Sequence, residues 1–246
     1  MTQAVTTLAL TRFFGGRAAV EGLDLSVPAG EIFGLVGPDG AGKTTTLRLL
    51  VGIIDPTSGE ASILGVPLFR LDSIRPKIGY MSQRFGLYED LTVAENLRFF
   101  GRLHNVTGER FRERSGRLLA FAGLEPFTQR LAGQLSGGMK QKLGLSCALI
   151  HKPEILFLDE PTAGVDPVSR REFWRLLYDL LQENVTIFLA TSYMDEAERC
   201  SRLGFLHNGR LIHLDTPERI RESAGKGASL EEAFLKKVGG LDAGRE

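Results

Sequence analysis

A chain of 246 residues can hold one large domain or a core with a subdomain. Its 30 basic and 30 acidic side chains cancel, so no global field argues for nucleic acid or an acidic membrane surface. At 43% hydrophobic and 24% charged it has the make-up of a soluble globular protein. No N-terminal segment reads as a signal peptide, and no apolar run approaches the ~20 residues of a bilayer span.

Residues 5–27 alternate, most clearly at Leu23, Leu25 and Val27, a period of two that predicts half-buried antiparallel strands. Between them Phe13 and Phe14 run into the turn Gly15-Gly16. Paired aromatics there could offer a flat face to a purine base, but on these residues alone the core is their expected place. Pro28-Ala29-Gly30 then turns the chain into the apolar run Ile32–Val36. This run leads into Gly37-Pro38-Asp39-Gly40-Ala41-Gly42-Lys43-Thr44-Thr45 and a helical pattern reaching about Gly52. Gly-x4-Gly-Lys-Thr between a buried strand and a helix is the context of a P-loop. Its glycines let backbone N–H groups wrap round phosphate oxygens, and the helix start adds an aligned dipole. Lys43 is placed to reach the outer phosphates and the Thr44 hydroxyl to hold Mg2+. The plain alternative is a Gly-rich strand-to-helix turn that happens to carry a lysine.

Ala61–Leu64 and Ile78–Met81 read as short strands, the second ending at Ser82-Gln83, a polar step off a sheet edge where ligands of open α/β folds sit. From about Phe85 the pattern turns helical. Thr92 with Glu95 forms a capping box, and residues 109–122 make an arginine-rich helix with a solvated face. Ser136-Gly137-Gly138 opens another helix and offers either a plain N-cap or a second anion site. Cys147 and Cys200 stand without metal-ligand spacing and are expected to pack as reduced thiols. Ile155-Leu156-Phe157-Leu158 reads as a strand buried on both faces that ends in Asp159-Glu160. Asp159 is then expected near Mg2+, and Glu160 where it polarises a water. Asp166-Pro167 caps a helix with the stripe Phe173, Leu176, Leu177, Leu180 and Leu181. Thr186–Ala190 is a further strand, ending at Thr191-Ser192. Asn208-Gly209 signals a hairpin, Thr216-Pro217 a helix start, and Ser229 with Glu232 another capping box; the last few residues look frayed.

The P-loop, Gln83, Leu135-Ser136-Gly137-Gly138 and Asp159-Glu160, in that order, resemble the nucleotide-binding domain of ATP-binding cassette (ABC) transporters from about Thr6 to Val238. The resemblance implies an α/β fold: a P-loop NTPase core with a mostly parallel sheet, an antiparallel β-subdomain and an inserted α-helical subdomain. It places the core at 1–84 and 152–246 and the helical part at 85–151. Phe14 falls at the adenine-stacking position and Gly37 to Thr45 forms Walker A. Gln83 senses Mg2+ and the γ-phosphate, and Leu135 to Gln141 is the signature. Asp159 closes Walker B, Glu160 is the catalytic carboxylate, and Ala163 to Asp166 is the D-loop. The motif stretch around Met194-Asp195-Glu196-Ala197-Glu198 puts Ser192 where such domains normally carry a histidine. Serine is shorter and has no cationic form. With the signature Leu-Ser-Gly-Gly-Met, this resembles ABC-2-type drug exporter ATPases, most of all the first domain of a tandem ATPase polypeptide.

By that resemblance the chain binds ATP and Mg2+ and pairs head-to-tail with a second copy or a sister domain. Ser136, Gly137 and Gly138 then face the ATP of the opposing protomer. A transmembrane permease subunit is met through about 85–95 at the inner face of the cell membrane, the chain being cytoplasmic and peripheral. The resemblance leaves two readings: an ATPase that powers export of a drug-like substrate, or a degenerate, mainly regulatory ATP-binding module.

Overall fold

The computed structural model describes residues 2–83 and 86–242, but not the side chains of 241 and 242. Phe85, the start of the expected permease-facing segment, and the last residues expected to fray lie outside the described residues. In chain order the first elements are β1 (Gln3–Phe14), β2 (Arg17–Pro28), β3 (Ile32–Val36), α1 (Lys43–Leu50), β4 (Ser58–Ile63), β5 (Val66–Pro67) and β6 (Ile78–Met81). Then come α2 (Val93–Leu103), α3 (Gly108–Ala122), α4 (Gly137–Leu149), β7 (Ile155–Asp159) and α5 (Pro167–Gln182). The chain closes with β8 (Thr186–Thr191), α6 (Met194–Ala197), β9 (Arg202–His207), β10 (Arg210–Asp215), α7 (Pro217–Ala224) and α8 (Leu230–Asp242). Two compact units result, Met1–Ile74 with Thr186–Glu246, and Arg75–Val185. The expected helical segment 85–151 lies inside the second unit, which also takes β6, β7 and α5.

The first unit carries an antiparallel sheet in the order β2-β1-β4-β5, of which β1 and β2 are the strands expected from the alternation in 5–27. Phe14 pairs with Arg17 across Gly15 and Gly16, whose φ of 53° and 82° suit the primed turns that follow strand twist. Its other strands run β10-β9-β3-β8, with β3 parallel to both β8 and β9. All five residues of β3 and all six of β8 are buried, which suits the apolar stretches 32–36 and 187–190. Asn208 (φ 46°) and Gly209 (φ 78°) make the hairpin between β9 and β10, with His207 opposite Arg210. Against this sheet Val36, Leu203, Phe205, Ile220, Ala233 and Phe234 form a core under α7 and α8.

In the second unit β6 and β7 are parallel neighbours, Met81 opposite Leu158. The capping box is formed in full at the start of α2: Glu95 N donates to Thr92 Oγ1 and Thr92 N to Glu95 Oε2. Val93 and Leu97 of α2 then pack with Leu135, Leu143 and Cys147 in one cluster. On α5 the stripe Phe173, Leu176, Leu177 and Leu180 is buried, but Leu181 is only half-buried and Trp174 is buried at 1% exposure. The covered arc is wider toward the helix start than an i, i+3, i+4 reading allows. Both cysteines are buried, and burial raises both thiols well above the ordinary range, the behaviour of packed residues. Among the described residues no helix is long and apolar enough to cross a membrane.

Candidate functional site

In the first unit the loop between β3 and α1 is pinned from several sides. Gly37 N donates to Thr191 O at 3.3 Å, Gly209 N to Ala41 O at 2.9 Å, and Ala41 N to Pro38 O at 3.2 Å. Two glycines are required by close backbone approach. A Cβ on Gly37 would stand 2.2 Å from Leu206 O, and one on Gly42, whose φ is 108°, would stand 2.3 Å from Ala19 O. Pro38, Asp39 and Gly40 are exposed, Ala41 is buried, and Thr44 and Thr45 are half-buried. Lys43 is only 5% exposed, and its ammonium donates to Gly37 O at 2.7 Å and Pro38 O at 3.0 Å. That is a lysine folded along its own loop, its charge held beside backbone amides at a helix start, a combination suited to phosphate.

At the end of β8, Thr191 is buried and its hydroxyl donates to the Glu196 carboxylate, itself fully buried, while accepting from Tyr193 N at 3.1 Å. This bracket shapes the turn that leaves Ser192 exposed. Sequence reasoning missed Thr191 and Glu196 as a buried pair; the carboxylate five residues past a strand end was its one visible sign. None of the four histidines takes the place of Ser192, and His207 lies at the end of β9 instead. Phe13 and Phe14 are 41% and 48% exposed, so the expectation of a core position is corrected. They sit at the tip of the β1–β2 hairpin, beyond the cover of the sheet. The Arg12 guanidinium lies 4.7 Å from the Phe14 ring centroid, over its face.

In the second unit the parallel register of β6 and β7 carries Gln83 and the Asp159-Glu160 pair off the same sheet edge. Gln83 is exposed, whereas Asp159 and Glu160 are 1% and 4% exposed. Glu160 holds φ 48°, a strained backbone for a residue with a Cβ, of the kind found where a side chain must be aimed. Ala163 N donates to Glu160 O at 3.1 Å and closes the turn. Ser136 caps α4, its hydroxyl accepting from Met139 N at 3.3 Å. Gly137 has open space where a Cβ would point, while a Cβ on Gly138 would fall 2.5 Å from Ser169 Cβ and Oγ. Asp166 caps α5 by accepting from Val168 N and Ser169 N, which also keeps its carboxyl below the usual range.

Residues 20–163 match the family described as ABC transporter. The chain is 48% identical over 227 residues to the probable multidrug ABC transporter ATP-binding protein YbhF of Escherichia coli K12; the match spans 91% of this chain and 39% of the relative. It is 38% identical over 226 residues to the daunorubicin/doxorubicin resistance ATP-binding protein DrrA of Streptomyces peucetius, covering 91% of this chain and 68% of that one. Among solved structures, the dimeric post-hydrolysis state of the ATP-binding cassette MJ0796, bound to ADP and Pi, aligns at TM-score 0.77 and 28% identity over 86% of this chain and 98% of that one.

Proposed function

We propose, from the premise that the chain belongs to the ABC transporter family, that it is an ATPase subunit powering export of a drug-like molecule through a separate transmembrane subunit. The observation that carries the reading is the loop at Gly37–Thr45: an almost buried lysine at a helix start, preceded by two glycines, Gly37 and Gly42, that admit no Cβ. The names of YbhF and DrrA supply the multidrug-transporter and drug-resistance terms, and they are borrowed from proteins of which this chain spans about 39% and 68%. The α/β fold with parallel and antiparallel strands agrees with the cassette of MJ0796.

In this reading the amides of Gly40, Ala41 and Gly42 and the Lys43 ammonium receive the phosphates, with Gly37 and Pro38 shaping the turn and Asp39 at its exposed tip. Phe14 lies open to a base on one ring face. By the family resemblance Mg2+ would be held by the Thr44 hydroxyl, the Asp159 carboxylate and the Gln83 amide oxygen, hard oxygen donors of the kind this ion takes. When bound, such an ion would supply positive charge against the phosphates. Glu160 takes a proton from the attacking water as its oxygen bonds to the γ-phosphorus and the bond to the β-phosphate oxygen breaks. Pairing of two such domains, as in the MJ0796 dimer, is carried over as a proposal. So are its head-to-tail sense, the role of Ser136, Gly137 and Gly138 toward the partner's ATP, and contact with a transmembrane permease subunit through about 85–95 at the inner membrane face.

The test is Glu160→Gln in the purified chain. Hydrolysis is expected to fall on the order of 10²-fold or more while ATP binding persists. Phosphate release at the parent rate removes Glu160 from the chemistry, and loss of ATP binding in both proteins removes the nucleotide reading.

A further inference from the structure

Three elements of the second unit surround a cavity of about 280 Å3: α3, the chain just past the end of α4, and the end of α5. Its floor includes Leu118 and Phe121 of α3, Leu149 of α4 and Leu180 of α5. The rim carries three cations, Arg114, Arg117 and Lys152, against one carboxylate, Glu183.

The first observation is the packing of α3. This helix of 15 residues buries only Ala122, whereas α2, α4 and α5, of 11, 13 and 16 residues, bury four, eight and five. Leu118 and Phe121 are half-buried and line the cavity. Apolar walls without partner atoms forfeit dispersion and transfer energy that an apolar guest would restore.

The second observation is charge. Arg117 is paired with Glu183, which leaves Arg114 and Lys152 to set the sign of the rim. Arg114 uses one amino group on Ile150 O at 3.1 Å, so its other N–H donors remain for a guest. Burial first, and then the charge of Arg110, lowers this guanidinium from its usual range, with the Glu113 carboxylate opposing them. Lys152 is exposed, makes no ion pair among the described residues, and stands on a left-handed backbone (φ 58°) fixed by Lys152 N donating to Leu149 O at 2.9 Å. Part of this positive charge complements the carbonyl ends of α4 and α5, but a helix end does not call for an apolar floor beside it.

We propose that this cavity is a binding site for a small amphipathic monoanion, its apolar tail on Leu118, Phe121, Leu149 and Leu180 and its carboxylate between Arg114 and Lys152. The volume lies at the small end of ligand sites, roughly 300–1,000 Å3, which favours a medium-chain carboxylate over a nucleotide. The site is separate from the nucleotide reading and stands or falls without it.

The experiment is a chemical-shift titration of the isotope-labelled chain with octanoate and, separately, with 1-octanol, the neutral molecule of the same chain length. Octanoate is expected to saturate shifts at residues 114–121 and 149–153, at least tenfold more tightly than octanol. Lys152→Gln, an exposed substitution, is expected to weaken octanoate fivefold or more and leave octanol unchanged. Leu118→Trp, filling the floor, is expected to remove both. Shifts that never saturate, shifts centred elsewhere, equal affinity for octanol, or octanoate binding untouched in Lys152→Gln each overturn the proposal. Thermal unfolding of Lys152→Gln at the parent temperature shows that its result reads binding rather than folding.

Discussion

Gly137 and Gly138 are neighbours in sequence under different constraints. At Gly138 the absent Cβ makes room for Ser169, which is fixed because its own N–H donates to the α5 cap Asp166. Gly138→Ala must therefore push Ser169 off its cap, and a loss of about 1–3 kcal/mol is expected from such overpacking. Gly137 meets nothing within 4 Å, so Gly137→Ala should leave urea stability within about 0.5 kcal/mol of the parent or raise it slightly. If ATP phosphates approach the Gly137 amide closely, the added methyl obstructs them and ATPase activity falls in this variant without loss of fold. Equal stability of the two variants in urea would contradict the assignment. The sequence alone cannot separate the two glycines, because the neighbour that distinguishes them lies 31 positions away, whereas the Ser136 cap three residues from Met139 is legible at once. Phe14 shows the same limit: its type and its turn are local, but its exposure depends on what the rest of the sheet leaves uncovered.

At the scale of elements, the pieces legible in sequence are those fixed by contacts within a few residues: the capping boxes at Thr92 and Ser229, the Asn208-Gly209 hairpin, and the buried runs of β3, β7 and β8. Pairings between distant elements are not legible, and the stacked rings of His104 and His151 are the clearest case, with centroids 3.8 Å and planes 11° apart. His104 ends α2 and His151 follows α4, so the stack ties two helix ends together. His151 is 8% exposed, its Nε2 lies 2.9 Å from Ile78 O, and its Nδ1 is buried without a hydrogen-bond partner. Burial first, then the charge of His104, pushes its pKa down to about 4, the contact to Ile78 opposing them. A folded-state pKa below the unfolded value near 6.5 means that the unfolded chain binds the proton first. The contribution is whole above about pH 6.5 and is lost as pH falls through the window toward 4. After solvent screening we expect about 2 kcal/mol between those limits. Urea midpoints from pH 7.5 to 4.5 should fall less steeply in His151→Gln than in the parent, and parallel slopes would refute the role of the stack.

At the scale of the whole molecule the question is what one chain supplies to a pair. Ser192 is exposed at a turn whose shape comes from Thr191 and Glu196. A histidine there would bring a longer side chain with a proton and, near neutral pH, a charge option that serine lacks. In a pair built from two copies, both phosphate loops would work beside serine. In a pair with a sister domain that carries histidine, one site would be complete and would draw Ser136 and Gly137 from this chain. On the proposed function, the chain alone hydrolyses ATP slowly, and Ser192→His raises its kcat by about tenfold or more, the scale of a group that helps only as charge develops. ATP affinity changes less than about twofold, because Lys43 and the loop amides, which receive the phosphates from the start, are untouched. In the mixed pair, most turnover then depends on the sister's own phosphate-loop lysine and catalytic glutamate, and Ser136→Ala in this chain lowers it. The opposing possibility is that Ser192 holds the γ-phosphate through a bridging water as well as a histidine would. Steady-state rates with and without the substitution separate the two: brisk turnover by the parent, unmoved by Ser192→His, means two equal working sites and a symmetric motor.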